Sequence, residues 1–132
     1  MMHRKILLVD DDLDDQVFFL DALSEITTNV ECITAVNGLE ALSNLKVIKP
    51  SPSIIFLDLN MPLMNGFECL KKMKNDEQYK KIPVVIFTTS NNPADEIYAK
   101  ELGAKLFFTK TPDFKLLKSK LLHILETDFS KP

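Results

Sequence analysis

The sequence predicts an open α/β sandwich: a five-stranded parallel sheet, doubly wound, with helices on both faces. Two observations predict it. Short apolar runs alternate with longer amphipathic segments, five times over. The central runs, Ile54-Ile55-Phe56-Leu57 and Val84-Val85-Ile86-Phe87, hold no polar residue, as expected of strands covered on both faces. Right-handed crossovers between such strands then wind the helices around the sheet.

Ile6-Leu7-Leu8-Val9 is the first strand. Asp14 and Asp15 precede a helical stretch carrying Val17, Phe18, Leu20 and Leu23, acids at a helix start being favoured by the helix dipole. Residues 31–36 alternate weakly and form a second strand. Asn37-Gly38 supplies a turn, residues 39–45 a second helix, and Pro50-Ser51-Pro52 a break. After the third strand, Ile54 to Leu57, a loop with Pro62 and Gly66 leads into a helix over 67–73. Pro83 opens the fourth strand, residues 84–87. Pro93 suits the first turn of a helix running to Leu102, and Gly103 suits the position just past its end. Leu106-Phe107-Phe108 is the fifth strand. Beyond Pro112 a long amphipathic helix carries Leu116, Leu117, Leu121, Leu122 and Leu125 and ends near Glu126.

The 132 residues are enough for one domain, expected over 1–132 with a core of about 4–127 and no room for an output domain. With 45% hydrophobic and 27% charged residues the chain can bury an ordinary core, which excludes a disordered protein. The net charge is -3 and the basic residues form no dense run, so the electrostatic footprint of a nucleic-acid binder is missing. Cys32 and Cys69 lack metal-site spacing and are expected as reduced thiols. The basic start, residues 1–5, precedes an apolar run too short for a signal peptide, and no stretch reaches transmembrane length. A soluble, cytoplasmic protein with no membrane insertion is expected.

Ligands of such a sheet bind outside the carboxyl ends of the strands. Asp10, Asp11 and Asp12 follow strand one, Asp58 follows strand three, Thr88, Thr89 and Ser90 follow strand four, and Lys110 closes strand five. Carboxylates brought together repel and take up protons unless a cation compensates. An all-oxygen group favours a hard metal, and Mg²⁺ is the natural choice because it needs few carboxylates and keeps waters for a phosphate oxygen. A carboxylate is also a competent nucleophile toward phosphorus. Phosphoryl transfer asks mainly for charge neutralisation and alignment, which Mg²⁺ and Lys110 would supply while Thr88 hydrogen-bonds a phosphoryl oxygen. Taken singly, each residue has a plainer reading: Asp12, Asp14 and Asp15 as helix-start acids, Asp58 as a cap, Thr88 as a strand-end hydroxyl, Lys110 as a surface lysine. Their joint placement at four strand ends favours a site.

These residues also carry a resemblance. Ile6-Leu7-Leu8-Val9-Asp10-Asp11-Asp12, Asn37-Gly38-Leu39-Glu40-Ala41-Leu42, Phe56-Leu57-Asp58-Leu59-Asn60-Met61-Pro62 with Gly66, Ile82-Pro83-Val84-Val85-Ile86-Phe87-Thr88, and Gly103-Ala104-Lys105 leading to Lys110 resemble, in order, the receiver domains of two-component response regulators of the chemotaxis-protein type. The resemblance implies a flavodoxin-like strand order 2-1-3-4-5. It implies a phosphoryl-accepting switch with Asp58 as phosphoacceptor. Asp11 and Asp58 would ligate Mg²⁺ together with the Asn60 backbone carbonyl, and Asp10 would act through a metal-bound water. Thr88 would turn toward the phosphoryl group, and Phe107 would follow as an aromatic switch, unless it serves only as core packing. A sensor histidine kinase or histidine phosphotransfer protein would donate, a downstream protein would be acted on in trans, and a homodimer stays possible.

One departure stands out. The family usually has Pro directly after the lysine, joined by a cis bond, whereas here the order is Lys110-Thr111-Pro112. A cis bond before a non-proline costs about 2.5–4 kcal/mol, so Lys110-Thr111 is either strained cis or trans with a repositioned loop. Two other readings are a phosphorylation-independent interaction domain and a Mg²⁺-dependent phosphatase of the haloacid-dehalogenase type. The latter typically needs a second aspartate two residues after its nucleophile. That position is Asn60, which cannot transfer the proton, so a switch rather than an enzyme is expected.

Overall fold

The structure, a computed structural model, describes residues 5–130. The start of the basic N-terminal stretch, the first residue of the expected 4–127 core and the last two residues lie outside the described residues. Ten elements alternate: β1 (Lys5–Val9), α1 (Leu13–Ile26), β2 (Glu31–Ala35), α2 (Gly38–Val47), β3 (Ile54–Leu57), α3 (Gly66–Lys74), β4 (Val84–Thr88), α4 (Pro93–Glu101), β5 (Leu106–Thr109) and α5 (Phe114–Leu125). All strand pairs are parallel and the order is β2-β1-β3-β4-β5, the sheet that the apolar runs and the resemblance predict.

Alternation along the strands divides the core in two. Leu7, Val9, Ile55, Leu57, Val84 and Ile86 face one side, where Ala41 and Leu45 of α2, Leu70 and Met73 of α3 and Ala99 of α4 cover them. Ile6, Leu8, Ile54, Phe56, Val85 and Phe87 face the other, under Phe19 of α1 and Leu117 and Leu121 of α5. Phe19 stands edge-on to Phe56, ring centroids 5.0 Å apart, a geometry aromatic quadrupoles favour. A central strand that serves both cores has no face left for a polar residue, hence the unbroken apolar runs.

Helix starts follow capping chemistry. Asp12 caps α1, its carboxylate accepting from the amides of Asp14 and Asp15, so those two acids occupy the first turn rather than preceding it. Asn65 and Glu68 form a reciprocal capping box at α3. Pro93 sits in the first turn of α4 and Gly103 takes φ 111° just beyond its end. No helix among the described residues is long and apolar enough to cross a membrane.

Candidate functional site

The strand order reverses between β1 and β3, and the carboxyl ends of these strands open the crevice expected of such a sheet. β1 delivers Asp10, whose amide continues the ladder to the Ala35 carbonyl at 2.9 Å. The buried Gln16 side chain locks this corner by donating to the carbonyls of Asp10 (2.7 Å) and Ala35 (3.3 Å). β3 delivers Asp58, whose amide donates to the Val9 carbonyl at 3.0 Å. Asp58 Oδ1 accepts from the Leu59 amide at 2.8 Å, leaving Oδ2 directed at the crevice. Gly66 supports the loop behind Asp58. Its amide donates to the Leu59 carbonyl at 2.9 Å, and a Cβ there would meet the Asp58 carbonyl oxygen at 2.2 Å. Only a glycine allows this approach.

Asp10, Asp11 and Asp58 each place a carboxylate oxygen within 4.8 Å of the others. Asp10 and Asp58 are buried and Asp11 is exposed. Burial raises the Asp10 carboxyl to about 6, against the lowering influence of Lys110 and of the Asp12 amide. Asp10 Oδ2 is buried and, among the described residues, has no hydrogen-bond partner. It lies 2.8 Å from Lys110 Nζ, but as an ion contact outside hydrogen-bond geometry. A buried carboxylate oxygen that makes no hydrogen bond, beside two further carboxylates, fits a hard divalent cation.

The ladder between β4 and β5 runs one residue past β5, the Lys110 amide donating to the Thr88 carbonyl at 2.7 Å. Lys110 Nζ then reaches Asp15 Oδ2 at 2.7 Å and Asp58 Oδ2 at 3.2 Å with hydrogen-bond geometry. Burial works to lower the Lys110 pKa. The close contacts with the Asp10 and Asp15 carboxylates and the charges of Asp58 and Asp10 outweigh it and hold the ammonium above the ordinary lysine value. Among the described residues the one cis peptide bond is Lys49-Pro50. Lys110-Thr111 is therefore trans, and the lysine reaches Asp58 all the same.

Thr88 is fully buried at the end of β4, and its hydroxyl accepts from the Ser90 amide at 3.3 Å. Asn60 is exposed on the loop two residues beyond Asp58. Phe107 is half-buried against the core cluster that contains Ile86 and Ala99, while Phe108 stacks on Phe87 across the sheet's other face. The strand ends thus bring Asp10, Asp11, Asp58 and Lys110 together, with Thr88 beside them at the end of β4. Asp15, read from sequence as a helix-start acid, also belongs to this group through Lys110. Its separation of 95 residues from that lysine left no local signal.

The response regulator receiver domain family matches residues 6–122 of the chain. Response regulator Rcp1 of Synechocystis sp. is 36% identical over 85% of this chain and 80% of its own length. Chemotaxis protein CheY1 of Helicobacter pylori is 31% identical over 94% and 98%. The crystal structure of the Mn²⁺-bound form of response regulator Rcp1 superimposes with a TM-score of 0.85 at 34% identity, over 95% of this chain and 96% of that one.

Proposed function

The chain belongs to the response regulator receiver domain family, and from that premise we propose that it is a phosphoryl-accepting switch whose acceptor is Asp58. The observation that carries this reading is the meeting of Asp58 with Asp10, Asp11 and Lys110 at one rim of the sheet. The donor is a phosphohistidine on a sensor histidine kinase or a histidine phosphotransfer protein. An Asp58 carboxylate oxygen forms the new bond to phosphorus as the phosphorus–nitrogen bond of the donor breaks, leaving an acyl phosphate on Asp58 and a neutral imidazole on the donor once it takes a proton.

Asp11, Asp58 and the Asn60 backbone carbonyl would hold Mg²⁺, with Asp10 acting through a water. When bound, the ion supplies positive charge against the phosphoryl oxygens. The Mn²⁺-bound relative supports a divalent cation in this pocket. Lys110 adds a second positive charge, already pointed at Asp58 Oδ2. The Thr88 hydroxyl gives up its bond from the Ser90 amide to meet a phosphoryl oxygen, and Phe107 follows inward. A downstream partner reads the resulting face of α4, β5 and α5, so the phosphoryl group acts by shifting a population. The protein works in the cytoplasm as a switch that loses its phosphoryl group slowly, not as a multiple-turnover enzyme.

Incubation with Mg²⁺ and acetyl phosphate tests this by intact-mass measurement. A stable gain of one phosphoryl group, absent in Asp58→Asn and without Mg²⁺, is the expected result. Rapid turnover of phosphate esters would mark a phosphatase instead, and no modification at all would mark a phosphorylation-independent interaction domain.

A further inference from the structure

Lys110 is held by more carboxylates than its charge requires, and they are not equivalent. Asp10 and Asp58 belong to the group that fits a cation, whereas Asp15 does not. A divalent cation entering that group takes up the negative charge of Asp10 and Asp58. It also places like charge beside the ammonium, which Coulomb repulsion would then drive outward. Asp15 is the carboxylate left to oppose this. Its Oδ2 makes the shortest of the three contacts, 2.7 Å, with hydrogen-bond geometry. Its backbone is fixed in the first turn of α1, the amide bonded to the Asp12 cap at 3.1 Å.

The pair differs from an ordinary surface ion pair, which is worth little, on the lysine side, whose side chain is only 11% exposed, while the Asp15 side chain is 35% exposed. A positional need exists on the lysine side too. Lys110-Thr111 is trans and proline comes one residue later, so no ring fixes the bond that follows the lysine. The backbone is set by the Lys110 amide on the Thr88 carbonyl, and the far end of the side chain is set from α1.

We propose that Asp15 is a positioning residue that keeps the Lys110 ammonium aimed at Asp58 when a divalent cation occupies the neighbouring aspartates. The inference rests on the phosphoryl-acceptor reading for its consequence, but not for its first test. That test is NMR of the lysine side-chain ammonium groups in the full chain with saturating Mg²⁺. A slowly exchanging Lys110 signal is expected in the wild type, lost in Asp15→Asn and largely restored in Asp15→Glu. An unchanged Lys110 signal in Asp15→Asn overturns the proposal.

The second test is the rate of phosphoryl uptake from acetyl phosphate at saturating Mg²⁺. Asp15→Asn should slow it roughly tenfold, as expected for a misaimed group that does not itself react. In a Lys110→Ala background the same substitution should cost nothing further, because its effect runs through the lysine. Equal slowing in both backgrounds would show that Asp15 acts merely as nearby negative charge and would overturn the assignment. If the wild type takes up no phosphoryl group, the acceptor reading fails, and the ammonium signals still decide the role of Asp15.

Discussion

Two lysines at opposite rims of the sheet separate a structural role from the one proposed for the site. At the amino-terminal rim, the half-buried Lys74 donates to the carbonyls of Lys80 (3.1 Å) and Ile82 (2.9 Å). Burial lowers its pKa and the charge of Lys105 lowers it further. At the carboxyl rim, Lys110 is about as enclosed, yet its pKa is raised because carboxylates at 2.7, 2.8 and 3.2 Å outweigh the burial. Carbonyls satisfy the donors of Lys74 without adding charge, and the loop they close asks for nothing more. Three carboxylates around one ammonium leave the other rim short of positive charge. That excess, and not the burial of a lysine, marks the site.

Exchanging each lysine should separate the two roles. Lys110→Ala should slow phosphoryl uptake on the order of 100-fold, as for loss of one preorganised donor to a transferring group, with a mass-spectrometric time course as the readout. Lys74→Met should leave that rate unchanged and lower stability by about 1–2 kcal/mol in urea unfolding, the cost of two lost hydrogen bonds. A rate loss in Lys74→Met would break the comparison.

The glycines of the two rims sharpen it. A Cβ at Gly66 would strike the Asp58 carbonyl oxygen at 2.2 Å, which is backbone and cannot yield cheaply. Gly66→Ala should cost about 3 kcal/mol and depress phosphoryl uptake together with stability. A Cβ at Gly103 would first meet the flexible Lys74 side chain, at 3.2 Å, but at φ 111°. Gly103→Ala should cost about 1–2 kcal/mol of backbone strain and spare uptake under conditions where the protein stays folded.

The smallest effect is in pH. Asp10 sits at about 6 in the folded chain against 3.8 for a free aspartate, so the fold favours its neutral form. The stability it contributes to the metal-free protein is complete below 3.8 and is lost as pH rises through about 6. Cation binding has the opposite slope, since a proton on Asp10 removes negative charge that would otherwise favour the neighbouring ion. Calorimetry should show Mg²⁺ affinity falling roughly tenfold between about pH 7 and about pH 5.

Much of the fold was legible because strands buried on both faces have no room for polar residues. β3 and β4 announce themselves in Ile54 to Leu57 and Val84 to Phe87. Asp58 and Asp10 were legible because each follows such a run, where the ends of a parallel sheet gather. Asp15 was not. Acids are common in a first helical turn, and nothing local distinguishes Asp15, held by Lys110, from Asp14, which is exposed. Gln16 was equally silent, since its two carbonyl partners come from separate strand ends. The conformation of Lys110-Thr111 also needed the structure. The sequence left it open, and the bond is trans with the lysine in place.

The excess of carboxylate at the carboxyl rim is most directly tested by titrating Mg²⁺ into the protein while following backbone amides by NMR. One ion per chain should bind, shifting the amides of Asp10, Asp11, Asp58 and Leu59 while those around Lys74 stay still, and Asp11→Asn combined with Asp58→Asn should abolish the response. Amides at the β1 and β3 ends that remain unmoved at millimolar Mg²⁺ would contradict it.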